Sequence, residues 1–163
     1  MYGPEHGLAR ELSPLAQEFS RTMFISHGNR MKISPNLFNL NQFELANVLE
    51  PDFCGGEQFD VVFGQDFMIH MGADQEDMAF KNLVASVRPG GALFVGGMHL
   101  ARRPMLARKN HLTPIEWHLE KIHDGDQMRR EIWPWYYWSL EPINRKAKDY
   151  PFRYATIFQK STG

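Results

Sequence analysis

Hydrophobic positions change their period several times along this chain, and each change marks an element. Phe59-Asp60-Val61-Val62-Phe63 is a short, almost unbroken apolar run closed by Gly64. A strand covered on both faces, in a sheet clothed by helices, reads this way. Asp74 is placed to cap the next helix, and Asp77 to sit in its first turn, where negative charge suits the helix dipole. Phe80, Leu83, Val84 and Val87 then recur at helical spacing. Pro89-Gly90-Gly91 stops that helix, and Ala92-Leu93-Phe94-Val95 predicts a second buried strand. Strand, helix, turn and strand make one right-handed parallel crossover.

The flanks are less regular. Ser13-Pro14 opens a helix with a capping side chain and a proline at its first position, and Leu15, Phe19 and Met23 share one face. His27-Gly28-Asn29 ends it as a turn. Asn41 to Ala46 predicts a strand running into Asn47-Val48-Leu49-Glu50-Pro51, and Asp52 to Gln58 a loop. Thr113-Pro114-Ile115-Glu116 has cap, proline and glutamate in register for another helix start, with Ile115, Leu119 and Ile122 pointing one way. Trp133-Pro134-Trp135-Tyr136-Tyr137-Trp138 and Phe152 to Phe158 read as a terminal antiparallel pair. This order fits the second half of an open α/β sheet flanked by helices.

Composition narrows the picture. The 163 residues suit one domain, and 43% hydrophobic content supports a folded core. Eighteen basic residues stand against 19 acidic ones, so no global field favours a nucleic acid or an anionic membrane. The pairs Arg102-Arg103, Arg108-Lys109 and Arg129-Arg130 are read as solvated faces. Cys54 is the single cysteine, which fits a reducing, cytoplasmic setting. The opening MYGPEHGLARELSP has no apolar core, and no run of the chain reaches the length of a membrane span. His111, His118 and His123, seven and five residues apart, do not stack as paired ligands on a helix, so no metal site is expected.

One stretch carries a family likeness. Phe59-Asp60-Val61-Val62-Phe63-Gly64-Gln65-Asp66-Phe67-Met68-Ile69-His70-Met71 resembles a signature of the chemotaxis-receptor (CheR-type) glutamate methyltransferases. The helix ending at Arg88-Pro89-Gly90-Gly91, the following Leu93-Phe94-Val95-Gly96, and upstream Phe43 with Asn47-Val48-Leu49-Glu50-Pro51 stand in that family's order. The likeness runs from about Ser13 to Gly97, followed by a C-terminal helix and terminal strands over residues 98–163. It implies a single, partial Rossmann-like methyltransferase domain over residues 1–163, mostly parallel with a C-terminal antiparallel pair. The implied cofactor is S-adenosylmethionine. By the same likeness Asn47 and Val48 lie on its adenine side, Gln65 and Asp66 take the place of the family's Arg-Asn, and His70 that of its tyrosine.

The residues have a logic of their own beside that resemblance. Ligands of open parallel sheets sit beyond the carboxyl ends of the strands, and Asn47, Gln65 and Asp66 all follow predicted strands. Asp66 and His70 are candidate bases, although methyl transfer from a cationic sulfonium depends mainly on alignment. Tyr136 and Tyr137 are candidates for a substrate pocket. The bland alternatives are a turn at Asn47, capping by Gln65 and Asp66, a core histidine at His70, and core packing of the aromatic block. Glutamine for arginine and histidine for tyrosine loosen the tie to a glutamyl acceptor, leaving a small-molecule or protein methyl acceptor.

A complete domain of this type opens with a strand and a glycine-rich turn, and no Gly-x-Gly occurs in this chain. The absent contacts amount to two or three hydrogen bonds to charged groups at about 1.5–3 kcal/mol each. That is roughly 3–9 kcal/mol, against about 8 kcal/mol for a micromolar ligand. Weak cofactor binding by the chain alone is the expectation. With its first strands missing, Phe59–Phe63 would present a bare edge that invites pairing with another chain. The expected partner is a second copy or a complementing N-terminal chain. The competing reading is a non-catalytic interaction module that associates through that edge; a nicotinamide-dependent reductase lacks its glycine fingerprint and is set aside.

Overall fold

The computed structural model describes residues 18, 22–27, 30–124 and 141–162. Backbone packing divides the chain into two compact units, Met1–Leu45 and Ala46–Gly163.

In the first unit, Glu18, Thr22 and Met23 are helical, in keeping with the predicted helix. The chain then becomes extended earlier than predicted. Strand β1 (Phe24–His27) pairs antiparallel with β2 (Arg30–Ile33), Phe24 opposite Ile33 and His27 opposite Arg30. The expected helix end at His27 is therefore corrected to Met23, and Gly28 and Asn29 lie outside the described residues. A four-residue helix, α1 (Pro35–Phe38), follows Ser34 with proline in its first turn. Asn41 to Ala46 is irregular, not the expected strand. Phe43 and Leu45 are exposed there, so no burial rewards an extended ladder.

In the second unit, four strands form one sheet in the order β3 (Phe59–Gly64), β4 (Val87–Val95), β6 (Ile157–Lys160), β5 (Leu112–Pro114). β3 and β4 are parallel, β6 runs antiparallel to β4, and β5 runs antiparallel to β6. Hence β3, β4 and β5 point the same way, and their carboxyl ends share one edge of the sheet. Helices α2 (Ala73–Ser86), α3 (Arg103–Lys109) and α4 (Leu119–Asp124) complete the α/β architecture.

Helix α2 carries the predicted apolar stripe: Phe80, Leu83 and Val84 are buried with Leu93 and Val95 of β4. Burying a side chain such as Phe80 completely is worth about 1.5–3 kcal/mol. Its start differs by two residues from expectation. Gly72, not Asp74, is the N-cap, and its N–H donates to Gln75 Oε1 at 3.3 Å. Asp74 and Glu76 occupy the first turn, where they complement the dipole. The far end is closed by Lys160, whose ammonium donates to the carbonyls of Val84 (2.9 Å) and Val87 (2.6 Å). The helix ends at Ser86, and β4 already runs through Pro89-Gly90-Gly91, with a register shift against β3.

Three further expectations are corrected. β3 is covered on one face only: Phe59, Val61 and Phe63 are exposed, and β3 ends the strand order among the described residues. Thr113-Pro114 belongs to strand β5, and helix begins only at Leu119. The backbone N–H of Ile115 donates to Ile157 O at 2.9 Å, so the pull of the sheet overrides a local helix signal. The last strand begins at Ile157, not Phe152: β6 runs antiparallel to both β4 and β5, and residues 133–138, its expected partner, lie outside the described ones.

Candidate functional site

The carboxyl ends of β3 and β4 are fastened to each other. The Gly96 N–H donates to Gly64 O (3.2 Å), the Asp66 N–H to Gly96 O (3.1 Å), and the Ile69 N–H to Gly97 O (2.7 Å). These bonds carry the ladder past the last paired residues and turn the chain into a single 3₁₀ turn, Met68–His70. Gln65 and Asp66 are thereby held side by side, both exposed, at the tip of the parallel pair.

The fit is closed by backbone at Gly97, while at Gly96 only the movable end of the exposed Gln65 side chain stands in the way. A Cβ at Gly96 would stand 2.2 Å from Gln65 Oε1, and one at Gly97 would stand 2.5 Å from Asp66 Cα. Gly97 has φ +59°, and Asp66 itself sits at φ 57°, left-handed backbone that a non-glycine residue adopts at a cost. Such strain concentrates where surrounding structure fixes a functional group. The Gly96-Gly97 pair was not assigned this part from sequence. Its signal was there, as two glycines directly after a buried strand.

Asn47 is placed differently. Its Oδ1 accepts from the Leu49 N–H at 3.1 Å, its Nδ2 lies 3.5 Å from Glu50 Oε1, and it follows irregular backbone, not a strand. That is an Asx turn. Val48 is half-buried against the core, and its carbonyl accepts from Asn82 Nδ2 of α2 at 2.9 Å. The Asn47 turn is thus pinned to α2. His70 is exposed, so it is not the core histidine of the bland reading, and it closes the 3₁₀ turn that begins at Met68. Tyr136 and Tyr137 lie outside the described residues.

Behind the tip stands a buried ionic group. Glu76 is completely buried, and its carboxylate pairs with Arg102, which also reaches Asp77 and donates to Ala73 O at 2.8 Å. Glu76 Oε1 accepts from the backbone N–H of His99 at 3.3 Å and lies 3.5 Å from His99 Nδ1. Removing one partner of such a buried set costs several kcal/mol, on the order of 3–5.

A second polar network holds the C-terminal segment. Arg153 donates to both oxygens of Glu141 (2.5 and 3.0 Å), and the Tyr154 hydroxyl donates to Glu141 Oε1 at 2.9 Å. The hydrogen bond from Arg153 holds the Glu141 carboxyl below the usual carboxylate range, against burial, which pulls it up. Burial raises the Tyr154 phenol above its ordinary value. No group of three or more His, Cys, Asp or Glu side chains is arranged to hold a metal among the described residues. No helix among them is long and apolar enough to cross a membrane.

Known proteins share this stretch of chain. Chemotaxis protein methyltransferase 1 of Vibrio cholerae is 33% identical over 90 residues, 55% of this chain and 31% of the relative. A chemotaxis protein methyltransferase of Listeria monocytogenes is 25% identical over 96 residues, 59% of this chain and 36% of the relative. That of Listeria innocua is 26% identical over the same length. The chain spans about a third of the length of these curated relatives. The family described as CheR methyltransferase, SAM binding domain, matches residues 8–108, which is 101 of the 163 and includes α2, both parallel strands and the fastened tip. On that match, the chain belongs to the CheR methyltransferase family.

Proposed function

We propose that this chain is the strand-tip portion of an S-adenosylmethionine-dependent methyltransferase that acts in the cytoplasm on a protein acceptor. The single observation behind this is the Gln65-Asp66 tip, clamped against Gly96-Gly97 at the carboxyl ends of parallel strands within the family-matched residues. Open parallel sheets bind ligands at that edge. The names of the relatives, chemotaxis protein methyltransferases, support a protein acceptor.

The donor set fits the nucleoside side of the cofactor. An exposed amide at Gln65 and a carboxylate at Asp66 suit the N–H and O–H groups of adenine and ribose, with Asn47 and Val48 on the adenine side by family likeness. The methionyl carboxylate is an anion, and Asp66 would repel it. A glycine-rich turn is the usual remedy, and no Gly-x-Gly occurs here. When bound, the cofactor supplies an electrophilic methyl on a sulfonium; the residues of this chain orient it and the acceptor. Asp66 and His70 would act beside the transferred methyl, and Tyr136 and Tyr137 would line the acceptor side.

Residues 1–163 then form one partial methyltransferase domain, completed by a second copy or a complementing N-terminal chain. Calorimetry with S-adenosylmethionine, on the chain extended by any coding sequence upstream of Met1, tests the reading. Binding weakened by Gln65→Ala is expected, and absence of heat at millimolar cofactor would overturn it. The exposed Phe59, Val61 and Phe63 on the terminal strand favour a second reading, a non-catalytic module that assembles through this edge. A stable monomer by light scattering rules that out.

A further inference from the structure

Asn82 is out of character where it stands. It is 6% exposed, on the same helix as the buried Phe80, Leu83 and Val84, and asparagine is a weak helix former. A buried amide costs free energy unless it is hydrogen-bonded. Its Nδ2 donates to the Val48 carbonyl at 2.9 Å, across 34 residues of chain. The other hydrogen bonds described for that turn are local: the Leu49 N–H to Asn47 Oδ1 (3.1 Å) and the Glu50 N–H to Asn47 O (2.9 Å). Local bonds shape a turn and do not place it. Among the described residues no strand includes positions 47–50, so the Asn82 bond and the half-buried Val48 and Leu49 side chains fix where the turn lies. The next residue of α2 meets the strand tip. A Cβ on Gly64 would stand 2.6 Å from Leu83 Cδ1, and Gly64 immediately precedes Gln65. One step of α2 thus carries both segments, the Asn47 turn by a hydrogen bond and the foot of the Gln65-Asp66 tip by packing.

We propose that Asn82 is a positioning residue for the cofactor: it holds the Asn47-Val48 turn in a fixed place relative to Gln65-Asp66, so that the two grip one nucleoside, the turn on its adenine side and the tip on its ribose side. This rests on the methyltransferase reading above. Asn82 is buried and acts through the Val48 carbonyl, not by touching the ligand. A base held along its edge is recognised by its 6-substituent. Adenosine offers an amine there, a donor, and inosine a carbonyl, an acceptor. A site built to pair one of these rejects the analogue that lacks it, and only while its groups stay in place.

Asn82→Leu removes the donor at nearly the same volume, and Asn82→Ala replaces it should the leucine variant fail to fold. The first measurement needs no ligand. Solvent exchange of the Leu49 and Glu50 amides, followed by ¹⁵N NMR on the full chain, is expected to quicken about three- to tenfold in the variant, the size of one net hydrogen bond. The Val95 amide of β4, which donates to Thr156 O, is expected to keep its parent rate. Unchanged rates at Leu49 and Glu50, or an equal acceleration at Val95, overturns the proposal. The second measurement titrates adenosine and inosine into both chains, followed in the same spectra. The parent chain is expected to bind adenosine the more tightly, and the variant to lose about three- to tenfold of that preference. A bond that only stabilises the fold would leave the ratio untouched in the molecules that stay folded. An unchanged ratio, or a parent chain that binds both nucleosides alike, overturns the proposal, while adenosine binding keeps the methyltransferase reading. A parent chain that responds to neither adenosine nor S-adenosylmethionine sinks that reading and the role of Asn82 with it, and the amide rates then report a structural bond alone.

Discussion

Replacing Gly97 by alanine separates the two reasons for a glycine at the β4 exit. The residue has φ +59°, and the added Cβ would stand 2.5 Å from Asp66 Cα and 3.1 Å from Asp66 N. Left-handed backbone costs an L-residue roughly 1–2 kcal/mol. Overpacking against neighbours costs about 1–3 kcal/mol more, and here the neighbour is backbone held by hydrogen bonds on both sides. The sum is about 2–5 kcal/mol. Gly55 supplies the control: its φ is +64°, and no atom lies within 4 Å of an added Cβ. Gly55→Ala should therefore carry the conformational term alone. The gap between the variants, about 1–3 kcal/mol, corresponds to roughly 1 M in urea midpoint. Urea unfolding followed by circular dichroism measures it. Equal losses in the two variants would refute the claim that the β3 and β4 exits are in fixed contact.

Other consequences can be checked in the same preparations. Glu141 titrates below its unfolded value in the folded chain, because Arg153 donates to it. Its contribution is thus complete above the unfolded carboxylate range and lost as pH falls through the lowered folded value; Glu141→Gln should narrow its urea-midpoint deficit against the parent chain along that path. Lys160→Met removes the ammonium from the Val84 and Val87 carbonyls and should cost about 1–2 kcal/mol, read as a fall in Tm. Arg145→Ala breaks a well-formed but exposed pair with Glu120 and should leave the urea midpoint where it is in the parent chain. Phe63→Lys, at a position 65% exposed on the terminal strand, should leave folding intact and shift any self-association towards monomer in light scattering.

The crossover from Phe59 to Val95 was legible because its signals agree: an apolar run, a helical stripe and a second apolar run point to the same packing, although Pro89-Gly90-Gly91 lies within the strand and not in a turn. Helix α2 was predicted to within a few residues. What failed were segments where local chemistry and the sheet disagree. Thr113-Pro114 looks like a helix start, yet β6 offers it a ladder partner some forty residues later in the chain, which no local pattern reveals. Asn41 to Ala46 alternates like a strand, but a strand needs a neighbour, and Phe43 and Leu45 are exposed. At the candidate site, Gln65 and Asp66 could be found from their position after an apolar strand. Glu76 could not: nothing in a helix's first turn marks one acid as buried, and its partners His99 and Arg102 lie more than twenty residues away.

Strand β6 sits between two strands that precede it in the chain. Until residues 157–160 arrive, β5 has no neighbour to bond with among the described residues, and α2 lacks the lysine that closes its end. During synthesis, then, the sheet stays unfinished until residues 157–160 have emerged from the ribosome, while the β3–β4 pair can already zip together. Removing residues 157–160 would do more than shorten the molecule: it would cut the sheet in two.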